Sequence, residues 1–131
     1  MAVSTIKAIL KSEISTVWDT VLAVEQYTWR SDLSRVEVLN EKQFIEYTVD
    51  GYPTTFTVTA MEPYARWEFD MENTHMKGHW IGRFSARSSG TEIEFTEEVE
   101  PKRLFLKPFI QGYLKKQQAR FLADLQKALM P

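Results

Sequence analysis

The sequence predicts a single α+β domain spanning residues 1–131. In it a curved antiparallel sheet of about seven strands wraps around a long C-terminal helix, with two short helices after the first strand. Three observations predict this. Between Ser34 and Val99 apolar residues recur at every second position, in runs separated by short turn signals. Two segments, 14–22 and 103–130, repeat instead at three- and four-residue spacing. The inward positions of the strands carry large rings with glycines between them, so the sheet must bend and its hollow must be filled.

Residues 3–11 mix β-branched and apolar side chains with lysines and read as the first strand. Ile14, Val17, Trp18, Val21 and Leu22 then form one apolar stripe of an amphipathic helix, whose start Ser12 or Ser15 can cap. Glu25 to Asp32, with Tyr27 and Trp29, reads as a second short helix or a tight loop. Val36 and Val38 begin the alternating region. Ile45, Tyr47 and Val49 follow, alternating with Glu46 and Thr48. Asp50-Gly51 marks a two-residue hairpin turn, a type that needs positive φ at both positions. Phe56, Val58 and Ala60 share the next inward face, and Glu62-Pro63 ends that strand. Trp67, Phe69 and Met71 follow, then Met76, Gly78, Trp80, Gly82 and Phe84, then Ile93, Phe95 and Val99. Short turns between consecutive strands make an antiparallel meander with one buried and one wet side. Residues 103–130 close the chain as a helix in which Pro108 marks a break or a first-turn position. Ile110, Leu114, Gln117, Phe121, Leu125 and Leu129 lie on one face, which must be buried.

Composition narrows the chemistry. The chain has no cysteine, which excludes disulfides, a thiol nucleophile and thiolate metal sites. No segment approaches the roughly 18 apolar residues of a membrane span, and the N-terminus lacks the pattern of a signal peptide, so a cytoplasmic protein is expected. Charge is uneven. Seven bases face one acid from Lys102 onward, against nine bases and seventeen acids before it. With a sequence pI near 5.7 and no basic surface interleaved with aromatics, a nucleic-acid partner is not expected. No cofactor motif is present: no Gly-rich phosphate loop, GxSxG elbow or HExxH. His75 and His79 are the only histidines. On a strand they lie roughly 13 Å apart, too far to share one ion, and opposite Trp80 they face outward, so no metal site is expected.

The order of elements, together with Ser15-Thr16-Val17-Trp18, Tyr27 and Trp29, Pro63 before Arg66-Trp67-Glu68, Gly78-His79-Trp80-Ile81-Gly82-Arg83-Phe84 and Phe121-Leu122-Ala123-Asp124-Leu125, resembles the START-related, birch-pollen-allergen-like helix-grip superfamily. Within it the chain resembles the bacterial polyketide cyclase/dehydrase-like branch. The resemblance covers nearly the whole chain. It implies a cavity between sheet and C-terminal helix that binds a hydrophobic small molecule such as a lipid, an isoprenoid or an aromatic polyketide. It fixes no one activity, since members include carriers, cyclases and modules acting through protein partners.

Ten residues are candidates for a ligand site: Tyr47, Trp67, Phe69, Trp80, Phe84, Phe95, Glu97, Tyr113, Gln117 and Phe121. The rings supply apolar wall, and Tyr47, Tyr113 and Gln117 supply polar tips. Strict alternation puts Glu97 beside Ile93, Phe95 and Val99, where a lone carboxylate is costly and has a raised pKa. The more economical reading is a β-bulge in Thr96-Glu97-Glu98 that turns it outward. Three functions follow, in order of preference. The first is a non-catalytic ligand binder. The second is a cyclase or dehydratase-like enzyme with Glu97 or Tyr113 moving protons. The third is an interaction module presenting Lys115, Lys116, Arg120 and Lys127 to an acidic protein or a membrane surface, the usual alternative for such residues being a solvated helix face. Oligomeric state is not legible.

Overall fold

A computed structural model describes residues 1–130. The chain runs β1 (Ala2–Leu10), α1 (Ile14–Leu22), β2 (Leu33–Val38), β3 (Gln43–Thr48), β4 (Pro53–Glu62), β5 (Arg66–Glu72), β6 (Met76–Arg87), β7 (Gly90–Pro101), a 3-10 turn (Leu104–Leu106) and α2 (Lys107–Ala128). The strands form one seven-stranded antiparallel sheet in the order β1-β7-β6-β5-β4-β3-β2. Hairpins thus build everything except the placement of β1, which crosses the whole sheet to pair with β7.

The alternation sets the faces of β4 to β7 as the sequence predicts. Phe56, Trp67, Phe69, Trp80, Phe84, Ile93, Phe95 and Val99 are buried. Gly82 is required by a close approach: a β-carbon there would collide with the six-membered ring of Trp80, two residues away on the same face. The glycine lets the indole lie flat along the sheet.

Three local expectations are corrected. No second helix follows α1. Residues 23–32 form successive turns, closed by Gln26 N–H donating to the Ala23 carbonyl (2.9 Å) and Arg30 N–H to the Tyr27 carbonyl (2.8 Å). No side chain caps α1. Its N-cap is Glu13, and the Ser12 carbonyl instead accepts from the Thr91 hydroxyl at 2.8 Å. Finally, only Gly51 has positive φ (+82°) in the β3–β4 turn, where its N–H donates to the Thr48 carbonyl at 2.8 Å. This is a turn over Thr48–Gly51 ending in a left-handed glycine, not the two-residue turn centred on Asp50-Gly51. The register shows it: Phe44 pairs with Phe56 and Glu46 with Thr54. The change of one residue flips β3, so Phe44, Glu46 and Thr48 face the concave side and Tyr47 faces away.

α2 has 22 residues, roughly 33 Å at 1.5 Å each, and Pro108 sits in its first turn. It packs on β1 and β7, at one side of the sheet. Ile110, Leu114, Gln118 and Leu125 are its buried residues. Gln118 fastens it: Nε2 donates to the Ser4 (2.8 Å) and Phe95 (3.2 Å) carbonyls, and Oε1 accepts from the Ser4 hydroxyl (2.7 Å). A main core joins α1, the sheet and the C-terminal half of α2. A second, smaller one joins Ala2, Val99, Ile110 and Leu114. Because the helix leans on β1 and β7, the hollow over β3 to β5 stays incompletely filled. Among the described residues no helix is long and apolar enough to cross a membrane.

Candidate ligand-binding site

A cavity of about 160 Å³ lies in that hollow. Its apolar wall comes from Phe44 on β3, Phe56 on β4, Trp67 and Phe69 on β5, Trp80 on β6 and Phe121 on α2. The rings brace one another. Phe44 stacks on Phe56 (centroids 4.9 Å apart) and Phe69 on Trp80 (4.8 Å), while Trp67 meets Phe69 edge-on at 5.0 Å. The indole N–H of Trp67 is buried and has no hydrogen-bond partner among the described residues.

The polar lining was largely invisible in the sequence. The 23–32 segment folds over the cavity and brings in Tyr27, Trp29, Arg30 and Asp32. It is clasped to α2: the Ser31 backbone N–H and hydroxyl both donate to Asp124 Oδ2 (2.8 Å each), and Arg120 Nε donates to the Ser31 hydroxyl at 2.9 Å. Trp29 meets Phe121 edge-on at 5.4 Å. Arg120, expected on a free basic face, is therefore a loop anchor.

Arg30 lies at the centre of the polar lining. Its Nε and Nη2 donate to the two carboxylate oxygens of Asp32 (3.0 and 2.9 Å), and Nη1 donates to Glu46 Oε2 (3.3 Å). Its guanidinium lies 4.8 Å from the centre of the Phe121 ring. Burial disfavours the charge, but the two carboxylates outweigh it and hold Arg30 above its ordinary pKa, so it remains a cation. Burial in turn pushes the Glu46 carboxyl up, and Arg30 only partly offsets this.

Glu97 also lines the cavity. The register of β7 with both neighbours is uninterrupted, Glu97 standing opposite Trp80 on β6 and Ser4 on β1. The bulge does not form, and the carboxyl stays inward. Burial pushes it up to about 7, against the attraction of Arg30, and the negative charge of Glu46 adds to the rise. No hydrogen bond contributes.

Of the ten candidates, Trp67, Phe69, Trp80, Glu97, Tyr113, Gln117 and Phe121 line this one cavity. Gln117 Nε2 donates to the Tyr113 hydroxyl at 3.1 Å, near the mouth. Three do not line it. Tyr47 is on the convex side, where its hydroxyl donates to Glu37 Oε1 (3.0 Å) and Arg35 covers its ring (4.0 Å). Phe84 and Phe95 are solid core: Phe84 packs edge-on against Trp18 at 5.0 Å, and Phe95 is wedged between Trp80 and Phe121. Sequence reasoning missed Arg30, Asp32 and Glu46. The available signal was Phe44, whose position two residues before Glu46 sets the phase of β3 once the hairpin register is right. On the convex face, Nδ1 of His79 bonds Asp70 (2.7 Å) and Nε2 bonds Glu68 (2.8 Å), and His75 stacks on Tyr52.

A family model described as polyketide cyclase / dehydrase and lipid transport matches residues 1–130. No curated protein matches the chain. Among solved structures, a START superfamily protein from Mycobacterium smegmatis superimposes with a TM-score of 0.87 at 12% identity, covering 98% of this chain and 97% of that one. An uncharacterised protein from Rhizobium leguminosarum gives 0.77 at 20% identity, over 95% and 91%. DynU16, from the dynemicin biosynthetic locus, gives 0.80 at 12% identity, over 98% of this chain and 47% of its own length. At these identities the likeness shows the fold alone.

Proposed function

Since the chain belongs to the polyketide cyclase / dehydrase and lipid transport family, we propose that it binds a small hydrophobic molecule in the cavity between the sheet and α2. The observation that carries this reading is the combination of an unfilled, ring-lined space with a half-buried carboxyl, Glu97, that has no hydrogen-bond partner among the described residues. A core optimised only for stability would close such a void, because each missing contact is lost outright, and would not bury Glu97 unpaired. The volume limits the occupant. A cavity of about 150 Å³ takes up a single aromatic ring, so the enclosed part is a ring or compact isoprenoid unit, with any longer tail leaving through the mouth beside Tyr113 and Gln117.

Thermal unfolding against a panel of small aromatic, isoprenoid and acyl compounds tests this. A ligand selective for the native state at a hundred times its Kd adds about 2.7 kcal/mol of stability. At least one ring-sized compound is expected to raise Tm, and no shift from any would refute the reading.

A second reading has one observation in its favour. A carboxyl that burial pushes up to about 7 inside a largely apolar pocket is suited to proton transfer, so a cyclase or dehydratase-like reaction fits the same site with Glu97 as acid or base. Turnover of an aromatic polyketide-like substrate lost in Glu97→Gln, with Tm kept, would support it. Unchanged turnover would remove Glu97 from that role.

A further inference from the structure

The cavity carries more acid than its own base can neutralise. Among the described lining residues Arg30 is the only base, against Asp32, Glu46, Glu72 and Glu97. Glu72 is satisfied at the mouth by Lys102 Nζ, 2.7 Å away. Arg30 looks like a receptor for an anionic ligand, but four of its five N–H donors already point at carboxylates. Asp32 takes the Nε–Nη2 edge, Glu46 accepts from Nη1 at 3.3 Å and lies 3.5 Å from Nη2, and Phe121 covers a face. An incoming carboxylate would be repelled by the two carboxylates already in place there. Glu97 has no hydrogen-bond partner among the described residues and stands directly across from Trp80, whose ring stacks on Phe69.

An unpaired carboxyl in a space walled by aromatic rings matches one ligand chemistry. The carboxylate forms a charge-assisted hydrogen bond with an N–H⁺ donor, and the ring faces attract the same cation. Resting on the binding reading above, we propose that the ligand is a small aromatic or alicyclic amine whose protonated nitrogen pairs with Glu97 while its ring lies against Trp80 and Phe69. The site then discriminates against carboxylic acids of the same skeleton.

Three length-matched probes test this: phenethylamine, 2-phenylethanol and phenylacetate, each titrated at pH 8 and followed by the NMR signals of the tryptophan indole N–H groups. Phenethylamine is expected to bind about tenfold more tightly than the alcohol or beyond, and phenylacetate most weakly. In Glu97→Gln the amine should fall to the level of the alcohol, which keeps its affinity. Should that variant not fold, the wild type supplies the same contrast. The amine stays protonated from pH 8 to pH 5.5, so its affinity should drop about tenfold as Glu97 takes up a proton, and that of the alcohol should not. The other titratable groups lining the cavity are Tyr27, Arg30, Asp32, Glu46, Glu72 and Tyr113. Glu46→Gln separates the one that shares the upward shift, and it should leave the amine preference in place. Equal binding of amine and alcohol, an amine preference that survives Glu97→Gln, or tightest binding of phenylacetate would each overturn the proposal and leave the binding reading standing. No binding by any of the three would overturn the proposal, and the wider panel of isoprenoid and acyl compounds then decides the binding reading.

Discussion

The molecule contains the same small device twice, on opposite faces of one sheet: a nitrogen base held between two carboxylates. On the concave side Arg30 sits between Asp32 and Glu46, with all three side chains less than a fifth exposed. On the convex side His79 sits between Glu68 and Asp70, with Asp70 open to water. The chemistry is alike and the solvent is not. Water screens the outer triad, whereas the inner one depends on each of its members, because a buried charge that loses its partner has no solvent to turn to. The inner triad also engages most of its cation's donors, and Glu97 has no hydrogen-bond partner among the described residues.

Removing the inner base is the strongest way to break this contrast. Arg30→Met deletes the cation and leaves Asp32, Glu46 and Glu97 facing one another. A loss of about 3–5 kcal/mol is expected at pH 7, measured by urea denaturation. The loss should shrink at pH 5, where Glu97, pushed up to about 7, takes up its proton. Glu46→Gln in the same background should restore part of it, as partners in one network are not additive. A loss below about 1 kcal/mol would show that the inner triad is no more demanding than the outer one.

The inner triad also marks where the sequence stopped being readable. From β4 to β7 alternation alone assigned the faces, because Phe56, Trp67, Phe69, Trp80 and Phe95 outweigh any slip. In β3 the apolar pattern points the other way. Ile45, Tyr47 and Val49 form an apolar set, and a two-residue turn at Asp50-Gly51 would have aligned that set with Phe56. The real turn is one residue different, so Phe44 aligns with Phe56 and carries Glu46 inward with it. The turn type therefore hid Glu46. Arg30 and Asp32 were hidden for another reason. They lie on a segment with no period, placed by the bonds of Ser31 to Asp124 and Arg120, 93 and 89 positions further along the chain. Alternation did place Glu97 correctly. The bulge was preferred only because burial of a lone carboxyl is expensive, and that expense is what makes the position informative.

Glu97 gives the next effect in size. Its pKa rises from the ordinary carboxyl range to about 7 on folding, so the native state binds the proton more tightly than the unfolded chain. Its contribution is therefore neutral below the unfolded value, turns unfavourable as pH rises through the interval up to about 7, and is fully unfavourable above it. Glu97→Gln should leave stability at pH 4.5 nearly unchanged and raise it by up to about 3 kcal/mol at pH 8, a shift of one pKa unit being worth about 1.4 kcal/mol. Part of the pH dependence should remain, since Glu46 shifts in the same direction. Guanidinium denaturation of both proteins across pH 4.5–8 checks this, and parallel curves would place Glu97 in contact with water.

The outer triad should give the smallest effect, and one that salt erases. Burial lowers the tendency of His79 to hold a proton, but hydrogen bonds and charges from Glu68 and Asp70 outweigh it and raise the pKa. Glu98, opposite on β7, is the further acid beside it. A raised histidine stabilises fully below its unfolded value near 6.5, and the benefit fades as pH climbs through the higher folded value. Both triads therefore favour acid, and pH alone cannot tell them apart. Ionic strength can. His79→Asn should cost less than about 1 kcal/mol at pH 6 in low salt, as for exposed pairs generally. That cost should disappear in 1 M NaCl, where the screening length falls to about 3 Å, while the effect of Glu97→Gln at pH 8 persists. If salt quenched both alike, the cavity would be wet and the difference between the two faces would be one of geometry only.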